Sequence, residues 1–204
     1  MALFGVLALV SCASKNDANE NNFTQALNTY LAQKGELCLG IPSTWPVDLN
    51  EAERRSGIGR AAEMAALERA GLVSSHETDT EYTPSLGSRP VKVKVLRYDL
   101  TEEGKNFYRA RKTIALVSAN GAQGDLCYGQ QKLNKIVKWE GPNSVGDSKE
   151  ATVFYTYKVT NLADWASNPA IQKVFPGILS TINGAGNIQM NQALTLTNHG
   201  WEAK

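Results

Sequence analysis

Two six-residue segments, GELCLG at 35–40 and GDLCYG at 124–129, repeat one pattern: glycine, acid, leucine, cysteine, apolar residue, glycine. They hold two of the chain's three cysteines. A bond between Cys38 and Cys127 would tie together points 89 residues apart, and closing a loop of that length contributes on the order of 4 kcal/mol on a chain-entropy account. In an exported protein two such cysteines usually pair; two separate buried thiols are the alternative. Neither cysteine has CxxC spacing, and His76 and His199 sit in unrelated polar contexts, so no metal is expected.

Export is read from the N-terminus. Residues 1–11, MALFGVLALVS, carry no charge and are almost wholly apolar. That is too short for a membrane span, which needs about 20 residues, and it suits the apolar core of a signal peptide. Leu9-Val10-Ser11-Cys12 follows and resembles the lipobox of bacterial lipoproteins. The resemblance implies a diacylglycerol thioether on Cys12, cleavage before it and acylation of the new amino terminus, a palmitate-type anchor strong enough to be stable. The Lys or Arg that normally opens such a signal is missing before Lys15. Ala13 after the cysteine resembles the class sorted to the periplasmic face of the outer membrane. The next stretch, ASKNDANENN, is polar, and residues 12–22 read as a flexible tether.

From Phe23 the apolar residues Phe23, Ala26, Leu27, Tyr30 and Leu31 follow helical spacing to Lys34, with Gly35 as stop. Asp48 with Glu51 can cap a helix over about 49–56, and the alanine-rich stretch from Arg60 to Ala70 forms another. Short strands are expected at 81–85 and, from perfect alternation, at 91–95. Thr101 starts a helix to about Arg111. Further strands are expected at 133–140, 151–160 and 192–197, with 141–147 as a loop. A helical region over 162–182 is broken at Pro169 and at Pro176-Gly177.

The segment from Met64 to Tyr108 resembles a winged-helix domain. AALERAGLV supplies Ala66, Leu67, Ala70, Gly71, Leu72 and Val73, and RYDLTEEG supplies Tyr98, Leu100, Thr101 and Gly104. The resemblance implies a first helix, a short apolar segment, two further helices of which the third ends on AALERAGLV, a hairpin wing and a closing helix. Each half of the chain also ends on Leu-Thr-x-x-Gly, at 100–104 and 196–200, which together with the hexapeptides suggests a diverged duplication. The expected fold is therefore α+β: two small helix-plus-antiparallel-sheet halves, winged-helix-like over 23–118 and α+β over 119–204.

No GxSxG, GxxxxGK[ST], HExxH or GxGxxG pattern occurs, so the chain is read as a non-enzyme without cofactor. Asp125, beside Cys127, could tune a thiol; Trp45, Tyr128 and Trp201 lie near turns, where an exposed aromatic cluster would make a binding surface. The net charge of +1, from 21 basic and 20 acidic residues, lacks the basic excess of a nucleic-acid binder. The expected protein is an envelope lipoprotein, held to the membrane by lipid on Cys12 and stapled by Cys38 and Cys127. It acts as a binding or accessory module for an envelope protein or glycan, without nucleic acid. The alternatives are a winged-helix DNA-binding regulator and a periplasmic hydrolase whose site is unmarked.

Overall fold

The structure is a computed structural model that describes residues 14–41, 43–83, 89–110 and 122–203. The chain forms an α+β fold of helices and antiparallel sheets. It divides into two compact units that interleave along the sequence and do not follow the expected boundary at 118/119. A terminal unit takes residues up to Gly35, Lys132–Lys158 and Gly186 onward; a central unit takes Glu36–Gln131 and Val159–Ala185. Two strands, at 122–145 and 148–160, each run from one unit into the other.

In the terminal unit, helix α1 (Glu20–Lys34) begins where the Asn19 side chain accepts the Asn22 N–H, and ends where Gly35 donates to the Leu31 carbonyl. Its buried residues Phe23, Ala26, Leu27 and Leu31 form one stripe. That stripe meets a sheet built from the far part of β7 (Ala122–Val145), β8 (Ser148–Thr160), β9 (Gln189–Thr197) and β10 (Gly200–Ala203), all antiparallel neighbours. Ala151, Val153, Tyr155 and Tyr157 alternate inward along β8. Phe23 is fully buried and meets Trp201 and Trp139 edge-on, with centroids 5.1 and 5.4 Å away. Burying such a ring contributes about 2–3 kcal/mol.

The expected tether is ordered from Ser14 onward. Asn22 Nδ2 donates to the carbonyls of Ser14 and Asp17, Trp201 Nε1 donates to Asp17 O at 3.1 Å, and Lys15 Nζ donates to Asn198 O at 2.7 Å. The asparagines that made this stretch look disordered are its hydrogen-bonding and capping groups.

The central unit contains the winged-helix-like part. Strand β3 (Val47–Leu49) leads through α2 (Glu51–Ser56) and α3 (Arg60–Arg69) to β4 (Val73–Tyr82) and β5 (Val91–Leu100), and the sheet order is β3-β5-β4. Of the three helices expected before the hairpin, this unit holds the second and third, followed by the hairpin and the closing helix α4 (Glu102–Phe107). The preceding helix, α1, belongs to the terminal unit. Strand β4 begins eight residues before the strand expected at 81–85, whose last two residues lie outside the described ones, because its polar residues pair with β5 along ten positions, from Val73↔Leu100 to Tyr82↔Val91. The cap of α2 is Asn50 with Glu53 in a capping box, two residues beyond the expected Asp48 and Glu51. Asp48 is instead engaged within β3, where both its oxygens accept from Arg97 at 2.7 Å.

Short strands β1 (Glu36–Cys38), β2 (Ser43–Trp45) and β6 (Tyr108–Ala110) all pair with the near part of β7. Helices α5 (Pro169–Val174) and α6 (Pro176–Gly184) each start on a proline; the two expected breaks are helix beginnings, where the missing N–H costs nothing. The core of this unit gathers Leu49, Met64, Leu67, Leu72, Leu126 and Ile178, each at most 2% exposed.

The two Leu-Thr-x-x-Gly segments of the expected duplication fall in different elements. In the first Leu-Thr-x-x-Gly, Thr101 caps α4; in the second, Thr197 closes the turn between β9 and β10. The hexapeptides are partners across one antiparallel ladder, with Cys38 opposite Cys127.

Candidate functional site

The two hexapeptides meet where β1 runs antiparallel to β7. The register goes from Leu37↔Gly129 to Cys38↔Cys127, so Tyr128 is one residue too many on β7 and forms a bulge. The carbonyl of the bulged Tyr128 accepts the Ala163 N–H at 2.8 Å, and Leu39 N–H returns to Leu126 O at 3.0 Å. The bulge places Cys38 directly opposite Cys127, with Cα atoms 3.8 Å apart, and the two form a disulfide. Cys127 is buried and Cys38 partly exposed.

Asp125 has a structural task here and does not tune a thiol. It is 3% exposed; one oxygen accepts Gly40 N–H at 3.0 Å and the other its neighbour Leu126 N–H at 2.9 Å. The carboxylate thereby holds the turn that leaves β1, with Gly40 at φ 77°, a left-handed conformation suited to glycine. Glu36, on the same strand, pairs with Arg109 Nε at 2.8 Å. Glu36, Cys38 and Cys127 bring their donor atoms within 4.8 Å of one another. Metal binding needs thiolates, and the disulfide leaves only a carboxylate already held by Arg109.

Beside the disulfide lies a groove of about 430 Å³. Leu39 and Ile41 form one wall, Phe175, Pro176 and Ile178 the other, and Glu63 and Thr181 reach the lining as polar groups. Cys38 borders it. This is a concave surface that mixes apolar side chains with exposed polar atoms, and concavity of this kind makes it a candidate binding site. Its walls come from segments more than a hundred residues apart, so no local sequence pattern announces it.

The expected aromatic surface does not form. Trp45, Tyr128 and Trp201 are 9%, 4% and 6% exposed, the first two in the core of the central unit and the third beneath α1 in the terminal unit. Cys12, the expected lipid site, lies outside the described residues. His199 is an exposed turn residue. His76 Nδ1 stands 3.4 Å from Asp99 Oδ2 on the exposed hairpin, and neighbouring Ser74 makes no hydrogen bond to it among the described residues, so no nucleophile–base pair is assembled there.

No family model, curated protein or solved structure matches the chain.

Proposed function

We propose that this protein is a bacterial envelope lipoprotein, anchored through Cys12 to the periplasmic face of the outer membrane, and that it works as a non-catalytic binding or accessory module for an envelope protein or glycan. The observation that carries the reading is the Cys38–Cys127 disulfide, placed by sheet register and a bulge. Such a bond belongs to a chain that folds in an oxidising compartment. The order Leu9-Val10-Ser11-Cys12 after an apolar run supports the same address. Contact with a partner is assigned to the groove beside the disulfide.

The ordered N-terminal stretch gives this reading a physical consequence. Ser14 is two residues from Cys12, at most about 7 Å of extended chain. A lipid on Cys12 therefore holds the terminal unit against the headgroups, with no spacer between anchor and fold. Palmitate labelling of wild type and Cys12→Ala tests the anchor: the wild type should label and sediment with membranes, the variant should do neither. If both label alike and both stay soluble, the reading fails.

A further inference from the structure

Helices α2 and α3 of the central unit part at Gly57 and Gly59, both with positive φ, and leave a cleft of about 290 Å³. Its composition divides cleanly. Ala62 and Ala65 of α3, four-spaced small residues with Ala61, keep the floor low, and Leu49 and Val174 add apolar walls. Arg54, Arg69 and Tyr98 supply the polar groups.

Those three are not used up by the fold. Tyr98 lines the cleft, and its hydroxyl makes no hydrogen bond to the described residues. The hydroxyl is therefore available to donate to a ligand atom. Burial, with Glu68 nearby, raises the Tyr98 pKa; the phenol stays a proton donor at neutral pH. Arg69 has no ion-pair partner among the described residues. Arg54 shares the single Glu51 carboxylate with Arg55, at 2.5 and 2.7 Å. Glu68 is occupied by the Ser75 N–H and hydroxyl, at 3.0 and 2.7 Å. Of the two guanidiniums that line the cleft, Arg54 is paired with Glu51 and Arg69 has no ion-pair partner among the described residues, which leaves one positive charge unpaired.

We infer that this cleft binds a small organic monoanion, a carboxylate carrying a short apolar tail, through Arg54, Arg69 and the Tyr98 hydroxyl, with the tail on the alanine floor. One excess charge suits one carboxylate. Guanidinium groups match its planar oxygens, and the phenol gives a third donor. The apolar floor and walls would stay wet with a tailless anion such as inorganic phosphate. The volume is at the low end of about 300–1,000 Å³ for ligand pockets, which restricts the tail to a few carbons. This inference is independent of the lipid anchor and of the groove beside the disulfide.

The test is titration of the full chain bearing Cys12→Ala with hexanoate, followed by amide ¹H–¹⁵N shifts at Gly57, Gly59, Ala62 and Ala65. Hexanol, hexylamine and inorganic phosphate serve as comparisons. Saturable shifts at these four amides are expected with hexanoate, in preference to all three comparisons. Arg69→Gln removes an exposed guanidinium and Tyr98→Phe only a hydroxyl, so both should fold as wild type. Each should weaken hexanoate about tenfold, as loss of a charge-assisted hydrogen bond does. Shifts elsewhere, no saturation, equal binding of hexanol or hexylamine, or unchanged affinity in both variants would each overturn the inference.

Discussion

Removing the Cys38–Cys127 bond should cost the protein a large part of its stability. The bond closes a loop of 89 residues, and the loop-entropy relation gives about 4.5 kcal/mol at 25 °C for that length. Folded domains have net stabilities of roughly 5–15 kcal/mol, so the loss is severe without being automatically lethal. The informative variant is Cys38→Ser with Cys127→Ala: the serine suits a partly exposed site and the alanine a buried one. Urea unfolding followed by circular dichroism and tryptophan fluorescence is the assay. With a slope of about 2 kcal/mol/M, the midpoint should fall by about 2 M. Wild type under strong reductant should fall by a similar amount, since chain entropy depends on the cross-link and not on the side chains. Two outcomes refute the reasoning. A double variant within about 1 kcal/mol of wild type removes the entropic account. A variant that loses stability while reduced wild type does not would assign the effect to packing at Cys127.

Gly104→Ala should destabilise by at least about 3 kcal/mol, because a Cβ there would lie 1.9 Å from the Leu72 carbonyl oxygen; Gly177→Ala, with no atom within 4 Å of its Cβ, is the control and should be near neutral by thermal melting. Glu51 is held below its ordinary pKa of 4.5 by hydrogen bonds to Arg55 and then Arg54. A carboxyl whose folded pKa is depressed stabilises above its unfolded value and loses that contribution as pH falls through the folded one. Carboxyl-carbon NMR should place its midpoint below 4.5, and Arg54→Gln with Arg55→Gln should return it. Trypsin should release lipidated protein from vesicles only slowly at Lys15, whose side chain and neighbours are hydrogen-bonded to the terminal unit, because cleavage waits for local unfolding; release as fast as from an unstructured linker would contradict that ordering.

Helices α1, α2 and α3 were legible because their signals are local: spacing, caps and alanine content. Strand β7 was legible only at 133–140. Its flanks, with glycines at 124, 129 and 141, do not read as strand, and it is the neighbours they pair with that extend it. The hexapeptides show the same limit at finer scale. Their likeness is real, yet their four glycines do four things. Gly35 closes α1, Gly40 takes a positive φ, Gly124 leaves room for the Tyr108 ring, and Gly129 packs by Val159 and Leu37. The glycines of one pattern thus meet different local demands, while its cysteines face each other across one ladder. The cysteines could be paired from compartment and count alone. The groove and the arginine-lined cleft could not, because each assembles residues distant in the chain.

The winged-helix-like part raises the question of nucleic acid, and its charges can be followed one by one. A wing that grips phosphate needs cations free to release counterions. Here Lys92 stands directly opposite Glu81 and Lys94 opposite Asp79 across the hairpin, where opposed side chains are about 5 Å apart and interact. Arg97 is committed to Asp48 through two hydrogen bonds. On α3, Glu68 anchors Ser75, and the helix packs against α5. The cations of this unit are thus largely balanced by acids placed on neighbouring strands, as a surface is when charge serves solubility and register. Among the described residues Arg60 and Arg69 of α3 have no ion-pair partner, and Arg54 shares one with Arg55. Two such cations on one helix are few beside the row of phosphate contacts that a polyanion requires.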